Sequence, residues 1–277
     1  MENGVRRWLV NTSNWNPSED QFSFFLSFLP LHEQSAVMRF IKFEDKKRAL
    51  VSRLLQYSLV HEVLGISFDK IIINRTIEGK PYLQNRENLI FPNFNFNSSH
   101  HGDYVGIASE PICLVGLDIV RNTIHKNETA LEFINNFSSH FTDLEWKDIN
   151  GARSSDEIMS VFYRYWCLKE AFVKATGAGV GFGLQRLEFR HRNWNSISIY
   201  VDGVESRDWR FSLFQLDEEH WAAVARGHPN GAVDSYKRTL SFFDFDEERD
   251  FDRCQDGGFI SRSVEQLIPS NIGSVRG

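Results

Sequence analysis

Trp166, Glu170 and Lys174 stand four residues apart in the run Trp166-Cys-Leu-Lys-Glu-Ala-Phe-Val-Lys174. On a helix they would share one stripe, spaced about 6 Å along the axis. An acid and a base would then stand in line beside a large aromatic ring. Alone, that stripe reads equally well as an ion pair on a solvated face. Two other segments change the balance. Asn97-Ser-Ser-His100 and Gly116-Leu-Asp118 each close an apolar, strand-like run. Carboxylates, a lysine and a histidine drawn from three segments suit chemistry on a phosphate held by a metal ion.

The elements that must position these groups follow from the pattern. No Gly or Pro interrupts Asp156 to Thr176 and Gly177 supplies a stop, which predicts a long helix. Glu33 to Leu64 reads as helical in two pieces, with Val51, Leu54, Leu55 and Leu59 forming an apolar stripe. Strands are expected at Arg7 to Val10, Phe68 to Asn74, Phe94 to Ser98, Tyr104 to Ser109 and Ile112 to Val120. After the second long helix, Leu184 to Phe189, Ser196 to Val201, Trp209 to Leu216 and His220 to Ala225 repeat the strand pattern. A helix followed by strands thus occurs twice. The fold class expected is α+β, with two similar subdomains spanning 1–112 and 113–228 and a pocket at their interface. Residues 229–277, with the acidic stretch Asp244 to Asp252, read as a mostly disordered or loosely docked tail that could form a short helix near Val264 to Ile268.

Composition bounds the function. The 277 residues are 42% hydrophobic and include 24 Phe, enough for a sizeable core. A net charge of −6 argues against general nucleic-acid binding. Three widely spaced cysteines, Cys113, Cys167 and Cys254, argue against a disulfide framework or a cysteine-based zinc site. No apolar run approaches the roughly 20 residues of a membrane span. Cytosol is the default compartment, with an organelle left open.

Asp118 stands inside an otherwise apolar strand, where a carboxylate needs a partner. A strand-end cap is one answer and a hard cation such as Mg2+ is another. Asn97 to Asp103 reads as a turn whose amides, hydroxyls and imidazole could cradle an anion. In an extended chain His100 and His101 point to opposite sides. Arg75-Thr76-Ile77-Glu78-Gly79-Lys80 carries two cations around a glycine turn and could close over a nucleotide phosphate.

The three motifs, in this order and at these spacings, resemble the 4′-phosphopantetheinyl transferases. The likeness is to the larger, monomeric, two-subdomain type, and within it to the eukaryotic aminoadipate-semialdehyde-dehydrogenase phosphopantetheinyl transferases. The residues that carry it are Asn97 to His100, Gly116 to Ile119, and Trp166 to Lys174 with Gly177. Gly79-Lys80-Pro81, Phe94 to Asn97 and Gly181 to Phe189 add to it. The resemblance implies transfer of the phosphopantetheine arm of coenzyme A to a serine of an apo carrier protein, releasing adenosine 3′,5′-bisphosphate. It implies that Asp118 and Glu170 hold Mg2+, that Glu170 takes the serine proton and that Lys174 neutralises the pyrophosphate. It also implies that His100 meets a coenzyme A phosphate, while Arg75, Thr76, Ile77, Glu78, Gly79, Lys80, Asn97, Ser98 and Ser99 line the nucleotide site. Lys169, about 100° around the helix from Glu170, is expected to support rather than react.

Two positions depart from the family pattern. Val120 stands where many bacterial members carry a further metal-binding Glu, which leaves water or His101 to fill the shell. Ala36 stands where relatives place a basic contact to the 3′-phosphate, and Arg39, one turn on, is the expected substitute. Competing readings are a non-catalytic carrier-binding module of the same fold, and a metal-dependent hydrolase built on His100, His101 and Asp118. Fatty-acid carrier proteins, an aminoadipate reductase and a synthase domain are the candidate carriers, docking on a basic or apolar patch.

Overall fold

The computed structural model describes residues 4–85, 90–124, 128–241 and 257–269. Strand β1 (Arg6–Asn11) leads into the short helices α1 (Glu19–Leu26) and α2 (Leu31–Met38) and the long helix α3 (Phe43–Leu64). A small hairpin, β2 (Ile73–Arg75) and β3 (Pro81–Leu83), precedes β4 (Asn95–His101), β5 (Tyr104–Glu110) and β6 (Leu114–Arg121). Helices α4 (Ala130–Asn135), α5 (Asp143–Asn150) and α6 (Ser155–Thr176) follow. Strands β7 (Leu187–Arg192), β8 (Asn195–Val201), β9 (Val204–Ser206), β10 (Trp209–Gln215) and β11 (His220–Gly227) come next, then α7 (Asp234–Lys237) and β12 (Ile260–Ser261).

The expected duplication is present in the element order. In the first half β5 pairs antiparallel between β1 and β4; in the second, β11 pairs antiparallel between β10 and β6. Each sheet carries one 22-residue helix, α3 or α6. Both helices stop at a left-handed glycine, Gly65 at φ 69° and Gly177 at φ 75°, a conformation a side chain resists.

Alternation along each strand builds the layers. Trp8, Val10, Val105 and Ile107 point to α3, whereas Leu9 and Ala108 point to the other sheet. In β6, Leu114 and Val120 face α6, whereas Val115, Leu117 and Ile119 meet Ala108 of the first sheet. The sheets therefore pack face to face, with one long helix outside each.

A seam of side chains joins the halves. Four successive alternate residues of β4 accept hydrogen bonds from backbone N–H groups of β6, each twenty residues on. Val115 donates to Asn95 Oδ1 at 3.0 Å and Leu117 to Asn97 Oδ1 at 2.9 Å. Ile119 donates to Ser99 Oγ at 3.1 Å and Arg121 to His101 Nδ1 at 3.0 Å. Buried amides thereby find partners without a shared ladder.

The structure corrects three expectations. The strand expected at Phe94 to Ser98 runs on to His101, and of the expected turn only Gly102-Asp103 turns, because the seam holds β4 extended to its end. Phe68 to Asn74 is not one strand: Phe68–Lys70 form a 3-10 turn and β2 starts at Ile73. The segment after 228 is anchored where it is described. Tyr236 is fully buried, β12 runs parallel to β1, and Val264 and Leu267 enter the α3 core. These anchors are isolated residues making distant contacts, and local pattern does not reveal such contacts. The acidic stretch Asp244 to Asp252 lies outside the described residues.

Candidate active site

Close packing of β6 on α6 creates the site. A Cβ on Gly116 would stand 2.0 Å from the Ala171 carbonyl oxygen and 2.4 Å from the Ala175 nitrogen. Only glycine admits the helix this near. Two residues on, Asp118 points at the same helix and is buried, 5% exposed. Its Oδ1 lies 2.5 Å from Lys174 Nζ and accepts from Ser99 Oγ at 3.2 Å. Lys174 also reaches Ser99 Oγ at 3.0 Å. The three sequence motifs, from β4, β6 and α6, thus converge on one buried cluster.

Electrostatics sharpen it. Burial pushes the Glu170 carboxyl above its usual range, and the charge of Asp118 adds to the rise, against Lys174 and His140. Burial works against the Lys174 ammonium, but the Asp118 and Glu170 carboxylates outweigh it and hold its pKa above the usual value. Two mutually repelling carboxylates with hard oxygen donors suit a divalent cation. Among the described residues no group of three or more His, Cys, Asp or Glu forms a metal cage. Asp118 and Glu170, close enough for their charges to interact, are the carboxylates that would hold a Mg2+ ion.

A cleft of about 550 Å³ opens beside this cluster. Arg75, Glu78 and Gly79 of the hairpin turn form one wall, and Gly179 to Gln185 form another. Trp166, Glu170 and Lys174 line it as one helical stripe, joined by Asn97, Ser98 and His140. Trp166 stacks with Phe162 and packs against Phe137 and His140.

The nucleotide-site residues divide. Arg75 lines the cleft; burial, then the nearby Arg53, lowers its pKa. Thr76 and Ile77 lie outside the lining, and Ile77 is 92% exposed. Glu78 accepts from Ser235 Oγ at 2.5 Å. Lys80 is buried and turned inward, donating to the carbonyls of Val115 at 3.0 Å and Lys174 at 2.5 Å. Asn97 and Ser99 serve the seam, while Ser98 Oγ meets Gln56 and Ser52 of α3.

His100 and His101 take opposite faces of β4, as alternation requires, so they do not share an ion. Burial, then Lys174, Arg48 and Arg53, lowers the pKa of His100 to about 4. Arg39 is exposed at the end of α2 and outside the cleft lining. Besides Lys174, the cations that act on His100 are Arg48 and Arg53 of α3, Arg53 being held by Glu33 at 3.1 Å. Sequence reasoning missed them because they interrupt an apolar stripe as ordinary surface residues do. It also missed His140, which no motif marks. Lys169 is fully buried, pairs with buried Glu145 at 2.7 Å and donates to the Leu184 and Leu187 carbonyls.

Fold and site together define a two-subdomain enzyme with an acidic-basic cluster in its interdomain cleft. Residues 13–112 match the 4′-phosphopantetheinyl transferase N-terminal family, and residues 114–225 match the 4′-phosphopantetheinyl transferase superfamily. The L-aminoadipate-semialdehyde dehydrogenase-phosphopantetheinyl transferase of Homo sapiens is 36% identical over 234 residues, covering 82% of this chain and 76% of that protein. A phosphopantetheinyl transferase of Thraustochytrium is 35% identical over 231 residues, 81% of this chain and 79% of that protein. Among solved structures, a holo-(acyl-carrier-protein) synthase from Bacillus anthracis in complex with CoA covers 42% of this chain and 96% of its own, at 18% identity and a TM-score of 0.33. The chain belongs to the 4′-phosphopantetheinyl transferase superfamily. It is an enzyme of that kind, acting in phosphopantetheine transfer to carrier proteins.

Proposed function

We propose that this enzyme moves the 4′-phosphopantetheine arm of coenzyme A to a serine hydroxyl of an apo carrier protein in a Mg2+-dependent reaction, releasing adenosine 3′,5′-bisphosphate. The observation that carries this reading is the convergence of Asp118, Glu170 and Lys174 at the cleft.

The chain's own residues have distinct tasks. Arg75 offers a guanidinium to the nucleotide phosphates from the hairpin wall. Lys174, held charged by its carboxylates, faces the bond to be broken and offsets the negative charge growing on the leaving phosphate. Glu170 lies one helical turn away with a raised pKa, which suits a group that accepts the serine proton as the oxygen attacks phosphorus. Trp166, Phe182 and Leu184 give the cleft an apolar stretch for the pantetheine arm. Mg2+, held by Asp118 and Glu170, would neutralise pyrophosphate charge and orient the phosphoryl group.

The test is intact-mass spectrometry of an apo acyl carrier protein incubated with this enzyme, coenzyme A and Mg2+. A gain of one phosphopantetheine arm, abolished by EDTA and by Glu170→Gln, is the expected result. No gain on several unrelated carriers, despite coenzyme A binding, would favour the binding-module reading.

A further inference from the structure

The lysine of the hairpin turn lines the cleft, but its ammonium is turned away from it, onto backbone carbonyls. Thr76 and Lys80 close the turn, with Thr76 N–H donating to the Lys80 carbonyl at 2.9 Å and Lys80 N–H donating to Thr76 Oγ1 at 3.3 Å. Gly79, at φ 92°, makes the reversal that sends the next side chain inward. Lys80 is 5% exposed, and among the described residues it has no carboxylate partner. Its ammonium donates to two carbonyls, Val115 at 3.0 Å and Lys174 at 2.5 Å. The ring of Tyr236 covers it, with Nζ 4.7 Å from the centroid, a distance at which ring and cation attract.

The two carbonyls are not arbitrary. The last turn of a helix leaves carbonyls without intrahelical partners. At the end of α6, Gly177 and Ala178 both donate to Val173, and Val233 of the C-terminal segment donates to Thr176. The Lys174 carbonyl takes its hydrogen bond from Lys80. A cation is also the charge that the negative end of a helix favours, against burial and then Lys174, which lower the Lys80 pKa to about 7. The other carbonyl, that of Val115, precedes Gly116, where β6 touches α6. Lys80 therefore fastens the strand bearing Asp118 to the turn bearing Lys174. Residue 174 is held twice, its ammonium by Asp118 and Ser99 and its carbonyl by Lys80.

Resting on the transfer reading, we propose that Lys80 is a positioning residue: roofed by Tyr236 of the C-terminal segment, it caps α6 at Lys174 and sets where the Lys174 ammonium stands. It acts through Lys174 and does not bind the nucleotide through its own charge. The segment after 228 is on this view a working part of the site, because it supplies the roof.

Lys80→Met keeps the chain length and removes the donor. A displacement of about 1 Å at a reacting group can cost roughly a hundredfold in rate. The expected result in the intact enzyme is therefore a fall in kcat on that order, with KM for coenzyme A within about threefold of wild type, and a lowered melting temperature, because two carbonyls lose their donor, in an enzyme still folded at the assay temperature. A rise in KM at full kcat would make Lys80 a nucleotide ligand and overturn the proposal, as would unchanged kinetics. If the methionine variant does not fold, Tyr236→Leu decides: it leaves the ammonium and removes the roof, and a lower kcat at constant KM supports the proposal, while unaltered kcat sinks it. Should the wild-type protein transfer no arm to any carrier, the functional reading fails by itself. Crystal structures of wild type and Lys80→Met then judge the positioning claim alone, since an unmoved Lys174–Asp118 pair in the variant would refute it.

Discussion

Asp118 and Lys174, 56 residues apart in the chain, form a close ion pair between strand β6 and the last turn of α6. The carboxylate is buried and the lysine about one third exposed, so the pair is asymmetric. Removing the lysine strands a charge, whereas removing the aspartate frees a cation that water can reach. Lys174→Met is expected to destabilise the fold by about 1–3 kcal/mol, discounted for the exposed partner, and Asp118→Asn by less. Urea unfolding of the two variants measures the difference. Both should lose phosphopantetheine transfer by at least about a hundredfold, read by carrier mass shift.

Glu170 sets function against stability. Its folded-state pKa is raised, so ionising it costs the folded protein more than the unfolded chain. Below about pH 4.3 both states hold the proton and nothing is lost. As pH climbs through the raised pKa, the folded state gives up stability, and the loss is complete above it. Glu170→Gln should therefore melt higher than wild type at neutral pH in EDTA, by roughly 2–4 °C if the relief is near 1 kcal/mol. The gap should close as pH falls toward 4. A variant that melts lower than wild type at pH 7 would contradict this account.

Much of this site was legible because its chemistry is written in residues that strands and helices do not otherwise favour. Asp118 interrupts an apolar run, and Glu170 and Lys174 share a helical stripe with Trp166; both patterns are local. The same locality hides the rest. The bonds from β4 side chains to β6 amides join residues twenty apart through turn-like polar types, so Ser99 to His101 reads as a loop. Lys80 beside a glycine turn has the signature of a solvated or phosphate-binding cation, and only the position of α6 shows that it points inward. Tyr236 is a single aromatic residue in polar surroundings, and its burial depends on surfaces that local pattern does not display.

Gly116 tests whether helix approach, more than any one charge, defines the site. A methyl there would overlap the Ala171 carbonyl and the Ala175 amide, both backbone atoms that cannot rotate away. The helix must shift, carrying Glu170 and Lys174 with it. Gly116→Ala is expected to cost about 1–3 kcal/mol or more through overpacking, and to abolish transfer even at temperatures where the variant remains folded. Circular dichroism paired with the carrier assay separates the two effects. Retained activity would mean that α6 accommodates the methyl by tilting.

The Glu145–Lys169 pair should behave differently from Asp118–Lys174, because both partners are fully buried and both hold backbone. Glu145 accepts the amides of Phe189 and Thr142 as well as the lysine, and Lys169 donates to the Leu184 and Leu187 carbonyls. The pair thus ties α5 and α6 to the loop that supplies the cleft's Leu184 and Gln185 wall. Lys169→Met leaves a buried carboxylate and two carbonyls without their cation, for an expected loss of about 3–5 kcal/mol. Glu145→Gln added to it removes the stranded charge yet keeps an oxygen for the Phe189 amide. The double variant should therefore be more stable than Lys169→Met alone, a sign reversal that a double-mutant cycle in urea detects directly. Additive losses would show that the two side chains stabilise the wall independently. The cleft wall should loosen in the single variant, raising KM for coenzyme A before kcat falls, because Leu184 and Gln185 line the cleft without belonging to the Asp118–Lys174 cluster.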